Sequence, residues 1–346
     1  MSLPVYNLCQ TYRDNFANPP APVQPTESPS IPGAWSFCGL PISSPLGIAA
    51  GPLLNGKWVA YYASLGFDVF TYKTVRSRPR ECYDLPNLVP VFTEQLEGKH
   101  DSLPATTEKT GTWAVSFGMP SMDPSFWEQD IRWTKGIMKK GQLLSVSVVG
   151  TAVPGETRTA LAEDYANCAQ WASEAGADAI ELNFSCPNVD TPDGQLFQQP
   201  DAAELVARTV DQRLSRDLPL LIKIGFQPDQ ENLQSLVEEV APYVDAIVST
   251  NSIPGRVHAP DGSPLFEGNS RGICGTATRE ASLRQVSAIC DLISRRDLHL
   301  KVVGVGGIET ARDVRRYLDA GAESVQLASA VMHDPEVGLK IRSDWK

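Results

Sequence analysis

The chain has no surplus of basic charge. Over 346 residues, 30 Lys and Arg stand against 41 Asp and Glu, a formal net charge of −11. A nucleic-acid binder, or a protein held on an anionic membrane surface, would need a basic face to overcome that repulsion, so neither partner is expected. No apolar run approaches the roughly 20 residues needed to span a bilayer. The N-terminus, MSLPVYNLCQTYRDNFANPP, lacks a basic stretch followed by an apolar core, so no signal peptide is expected. None of the seven cysteines falls in a C-x-x-C pair, which excludes a zinc ribbon or a cysteine cradle for an iron–sulfur cluster. The four histidines are far apart and none has metal-ligand spacing, so no metal is expected. The resulting expectation is a reduced, cytoplasmic protein.

What is present is ordinary globular material: 42% of residues are hydrophobic and 21% charged, enough to bury a large core. Residues 1–36 read as an N-terminal arm, because six prolines between Pro19 and Pro32 prevent regular helix or central strand there. From Phe37 a different rhythm begins. Eight short apolar runs start at Leu46, Asp68, Leu143, Asp178, Pro219, Asp245, Lys301 and Ser324. Their aliphatic residues are consecutive, as in strands buried on both faces. Amphipathic stretches separate them, for example Thr159–Ala175 and Gln230–Val240. Eight such units predict an α/β chain folded as a (β/α)₈ TIM barrel over residues 37–346, with a doubly wound open sheet as the rival. GVGGIE at 304–309 fails the dinucleotide pattern because Glu309 stands at the third glycine position. The stretch 74–142 after the second strand is too long for a simple connection and is expected to be an insertion over the active site.

Barrel strands point their C-terminal ends at the active site. Those ends carry Ala50, Gly51, Lys73, Thr74, Ser147, Asn183, Lys223, Thr250, Asn251 and Ser252, then Gly306, Gly307, Ala328 and Ser329, nearly all small or polar. Glycines after strand seven and a helix opening at Ser329 suit a phosphate, because bare backbone N–H groups form an anion cradle; Gly275 can add a close backbone approach. In NFSCPN at 183–188, the amides of Asn183 and Asn188 flank the thiol of Cys186, a donor–acceptor pair suited to a planar ring beside a candidate general base. Lys73 and Lys223 close apolar runs and would balance an anion. A Schiff-base lysine is the competing use, giving a flavin-free, aldolase-like barrel.

Together, NFSCPN, TNS at 250–252, TYKT at 71–74 and VGVGGIETARDV at 303–314 resemble the dihydroorotate dehydrogenase family, over roughly Phe37 to Asp334. The pyrimidine-reducing domain of dihydropyrimidine dehydrogenase is similar too. The resemblance implies bound flavin mononucleotide (FMN) and oxidation of dihydroorotate to orotate in pyrimidine biosynthesis. Cys186 would be the base of the cytosolic class, with hydride passing to flavin N5 and Lys73 among the catalytic groups. It places the phosphate on Gly275, Gly306, Gly307, Ala328 and Ser329. Ala50, Gly51, Lys73, Thr74, Ser147, Asn183, Lys223 and Thr250 would surround the rest of the flavin. The substrate ring falls to Lys73, Asn183, Asn188, Asn251 and Ser252. A homodimer is implied, and any NAD route would need a separate electron-transfer partner. One departure stands out. The family has a further asparagine shortly before a glycine–hydrophobic–proline step, here Gly118-Met119-Pro120, and this chain offers Val115 and Ser116 instead. That leaves dihydrouracil, or another small cyclic molecule, as the alternative substrate.

Overall fold

Eight parallel strands close on themselves in chain order: β1 Leu46–Ile48, β2 Val69–Val75, β3 Leu143–Val148, β4 Ala179–Asn183, β5 Leu220–Ile224, β6 Ala246–Ser249, β7 Lys301–Val305 and β8 Ser324–Leu327. Parallel pairing of β8 with β1 and of β4 with β5 completes the ring in this computed structural model, which describes residues 3–24, 29–153, 155–185, 195–215 and 217–345. The closed barrel rules out the open sheet. Seven of the eight strands have no exposed residue, and only Lys301 at the start of β7 faces solvent, as expected for runs of consecutive apolar residues.

The main outer helices are α1 Gly56–Ala63, α2 Pro124–Ile137, α3 Arg158–Glu174, α4 Pro200–Asp211, α5 Gln230–Val240, α6 Arg279–Arg296 and α7 Ala311–Asp319. Their starts follow local chemistry. Asn55, Asp123, Thr157, Asp229 and Thr310 each accept a bond from a first-turn backbone N–H, and Asp313 completes a reciprocal box with Thr310. After β8 come α8 Ser329–His333 and α9 Val337–Ser343. Arg342 on α9 is buried against Asp68, the residue just before β2, and also donates to Gly66 O, Pro29 O and Ser44 Oγ.

The two ends of the barrel are closed differently. At the N-terminal end, a hairpin of Trp35–Phe37 and Leu40–Ile42 sends Phe37 and Ile42 into the ring of Val69, Ala179, Leu221, Ala246 and Val303. At the other end lies a five-stranded sheet ordered Leu88–Pro90, Thr112–Val115, Arg271–Gly275, Ile253–His258, His100–Pro104. Three of its strands come from the stretch 74–142 and two from the chain after β6. The same stretch also contains the end of β2 and the whole of α2. The N-terminal arm packs on the barrel, with Tyr61 Oη donating to Pro4 O and Trp58 Nε1 to Asn15 O. A short helix, Tyr12–Ala17, opens on a Thr11–Asp14 capping box.

Candidate functional site

Between the C-terminal ends of the barrel strands and the overlying sheet lies a cavity of 1230 Å³. Barrel residues on its wall include Ala50, Gly51, Lys73, Thr74, Asn183, Lys223, Asn251, Ser252, Ala328 and Ser329. The sheet contributes Trp113, Val115, Arg271, Gly272 and Cys274, and the arm contributes Val5 and Tyr6. Ten sequence-derived site residues therefore meet in one place. Ser147, Thr250, Gly275, Gly306 and Gly307 are not on the wall. Ser147 Oγ lies behind Thr74, 3.0 Å from its hydroxyl, and Thr250 Oγ1 is 3.0 Å from Ser249 Oγ. Cys186 and Asn188 lie outside the described residues.

The electrostatics run against the chain's overall charge. Lys73, Lys99, Lys109, Lys223, Arg256 and Arg271 line the cavity, against Asp84, Glu181 and Glu267. An acidic protein thus presents a wall with more cations than anions at this concavity, which favours an anionic ligand. Lys73 stands two residues before the end of the fully buried β2 and Lys223 one residue before the end of the fully buried β5; they are 7% and 5% exposed. Among the described residues neither ammonium has a hydrogen-bond or ion-pair partner. Burial, aided by the neighbouring Arg76 guanidinium and opposed by Cys82, pushes Lys73 down to about 8.

Asn183, at the tip of β4, is held through its main chain and its side chain. Tyr165 Oη from α3 donates to its carbonyl at 2.9 Å, and its Oδ1 accepts from Ser185 N–H at 3.1 Å. Beneath it, Glu181 is fully buried. Its oxygens lie outside hydrogen-bond geometry with any described residue, although Lys223, Ser147 and Gln326 are its polar neighbours. Burial raises its carboxyl, and the Lys223 ammonium opposes that rise. Cys274 is a thiol on the cavity wall that sequence reasoning did not assign. Burial pushes it up to about 12, so it is a neutral packing group at neutral pH.

The glycine turns are tight for packing reasons. A Cβ on Gly306 would meet Ser282 Oγ at 2.2 Å, and one on Gly275 would meet Gly111 O at 1.9 Å. Gly307 has φ +64°, and its Cβ position is 2.8 Å from Gly275 O, so the two glycine turns touch. Among the described residues, the backbone N–H groups of Gly306, Gly307 and Ser329 meet no acceptor. Beside them, Trp113 stacks on His333 at 6.4 Å, and the buried Trp113 Nε1 is likewise without a partner among the described residues.

The family model described as dihydroorotate dehydrogenase matches residues 126–345. Dihydroorotate dehydrogenase of Dictyostelium discoideum is 32% identical over 366 aligned residues, covering 99% of this chain and 98% of that protein. The chain belongs to the dihydroorotate dehydrogenase family. It is accordingly an oxidoreductase acting on a CH–CH group. The catalytic subunit of dihydroorotate dehydrogenase B (NAD(+)) from Staphylococcus carnosus is 29% identical over 181 residues, 52% of this chain and 56% of its own length. The crystal structure of the Eimeria tenella enzyme in complex with ferulenol superposes with a TM-score of 0.75 over 94% of this chain and 86% of that one, at 16% identity. This last likeness speaks for the barrel alone. No helix among the described residues of this family member is long and apolar enough to cross a membrane.

Some site residues had no sequence signal strong enough to single them out. Arg271, Trp113 and Tyr6 reach the cavity only through the overlying sheet and the arm. Glu181 had one, an acid inside the apolar run DAIELNF, but it read as part of a strand.

Proposed function

We propose that this protein oxidises dihydroorotate to orotate with FMN held in the cavity, and that it belongs to the cytosolic class with a cysteine base. The observation that carries the reading is the pair of buried lysines, Lys73 and Lys223, whose ammonium groups have no hydrogen-bond or ion-pair partner among the described residues and which line a cavity rich in cations. A buried ammonium without a partner is costly, and an anionic ring or carboxylate above it removes that cost. The flavin fits the residues present. The N–H groups of Gly306, Gly307 and Ser329, which meet no acceptor among the described residues, suit its phosphate, with Gly275 and Ala328 beside them. Ala50, Gly51, Thr74, Asn183 and Lys223 suit the ring, with Ser147 bracing Thr74 from behind.

When bound, FMN supplies the acceptor for the hydride equivalent that leaves the substrate. The chain supplies the rest. Asn183, Asn188, Asn251 and Ser252 orient the dihydropyrimidine through its alternating carbonyl and N–H edge. Cys186 takes the proton from C5, and the Lys223 ammonium stabilises negative charge that develops at the ring edge. The overlying sheet keeps bulk water off Asn183, Lys223, Asn251 and Ser252.

The purified protein should be yellow, with a flavin spectrum that bleaches anaerobically when dihydroorotate is added. A flavin-loaded protein that is bleached by dihydrouracil and not by dihydroorotate would refute the substrate. A colourless protein that cannot take up FMN would refute the cofactor.

A further inference from the structure

Val115 stands near the place where the family carries an extra asparagine, and the structure shows what lies next to it. Val115 pairs with Gly272, and the residue before Gly272 is Arg271, a cavity cation. Its guanidinium is held on several sides. Nε donates to Ser116 Oγ at 2.8 Å and Nη1 donates to Ser270 O at 3.0 Å. The Tyr83 ring lies 5.5 Å away and the Phe266 ring 5.4 Å away, both within cation–π range. Ser116 and Tyr83 are themselves tied together, because Asn87 Nδ2 donates to the carbonyls of both. Nη2 meets no acceptor, and no carboxylate forms an ion pair with Arg271, among the described residues.

We propose that Arg271 recognises the substrate's carboxylate and so separates dihydroorotate from dihydropyrimidines that lack one. This rests on the function proposed above. A planar guanidinium fixed at Nε and Nη1, with one edge open, matches a carboxylate better than a mobile lysine does. Position favours the substrate over the flavin phosphate. Arg271 and Gly275 open and close the same strand, and four residues of extended chain separate them by roughly 13 Å. Gly275 is at the glycine turns, against Gly307. Arg271 is at the other end, where Gly272 presses so close to Ser252 that a Cβ there would meet its Oγ at 2.6 Å. The carboxylate end of the ring is therefore read by the overlying sheet, and the barrel reads the remaining edge.

The test compares flavin-loaded wild type with Arg271→Gln and Arg271→Lys. It measures orotate binding through the flavin absorbance, KM and kcat for dihydroorotate, and binding of the neutral amide of orotate. In Arg271→Gln, the orotate Kd and the KM should rise about 10- to 100-fold, the worth of a hydrogen bond to a charged group, with kcat changed far less. Binding of the amide should stay the same, and Arg271→Lys should fall between. Should Arg271→Gln fail to fold, Ser116→Ala removes the group that orients Nε and should raise the KM while the charge remains. Unchanged orotate binding in Arg271→Gln, or equal loss for orotate and its amide, would overturn this assignment alone. A wild type that holds flavin but neither binds orotate nor reacts with dihydroorotate would overturn the proposed reaction as well.

Discussion

Replacing Lys73 with methionine should stabilise the flavin-free protein and weaken its hold on flavin and substrate. The ammonium is 7% exposed and without a partner among the described residues. Its ordinary 10.5 drops to about 8, and at about 1.4 kcal/mol per pH unit the charged form is strained by about 3 kcal/mol at neutral pH. Below pH 8 the folded and unfolded chains are both protonated at this residue, so the full cost is present. Between pH 8 and 10.5 only the unfolded chain keeps the proton, so stability rises with pH across that window. Above 10.5 the cost is gone. Methionine keeps most of the volume and removes the charge, and such exchanges of a buried ion are often stabilising. Urea unfolding of flavin-free Lys73→Met at pH 7 should show a gain of about 1–3 kcal/mol, fading as the pH approaches 10.5. The same variant should bind FMN and orotate more weakly, because the charge that offsets theirs has gone. A flavin-free variant less stable than wild type at pH 7, or a gain that persists unchanged at pH 10.5, would show that the cation is not strained.

Two further substitutions probe other parts of the molecule. Cys186→Ala should leave the flavin spectrum near normal and slow single-turnover flavin reduction by about 10²–10⁴-fold, with Cys186→Ser nearly as slow; wild-type reduction in Cys186→Ala would reduce the thiol to packing. Arg342→Met should leave the buried Asp68 carboxylate uncompensated and cost about 3–5 kcal/mol in urea unfolding, and a loss below 1 kcal/mol would show that Ser44 alone satisfies it.

The barrel was legible because each of its strands is a local statement. Leu220–Ile224 and Ala246–Ser249 are consecutive apolar residues that only a doubly covered strand accommodates, and Thr310 with Asp313 marks a helix start within four residues. The overlying sheet was not legible, because its pairings join segments far apart in the chain. Cys274 lies opposite Trp113 and Gly255 opposite His100, separations that no periodicity reports. The same division runs through the site. Lys73, Asn183 and Lys223 could be placed on the cavity because strand ends were known from the local pattern and a barrel sends them all to one face. Arg271 could not, since its sequence neighbours give no hint that Ser116 and Tyr83 will stand beside it. This bears on the valine near the missing asparagine. Read along the chain, Val115 is a lost hydrogen bond and an argument against a carboxylate-bearing substrate. Read across the sheet, it sits against the strand that brings in a guanidinium, so the polar group for that end of the ring is supplied from another segment.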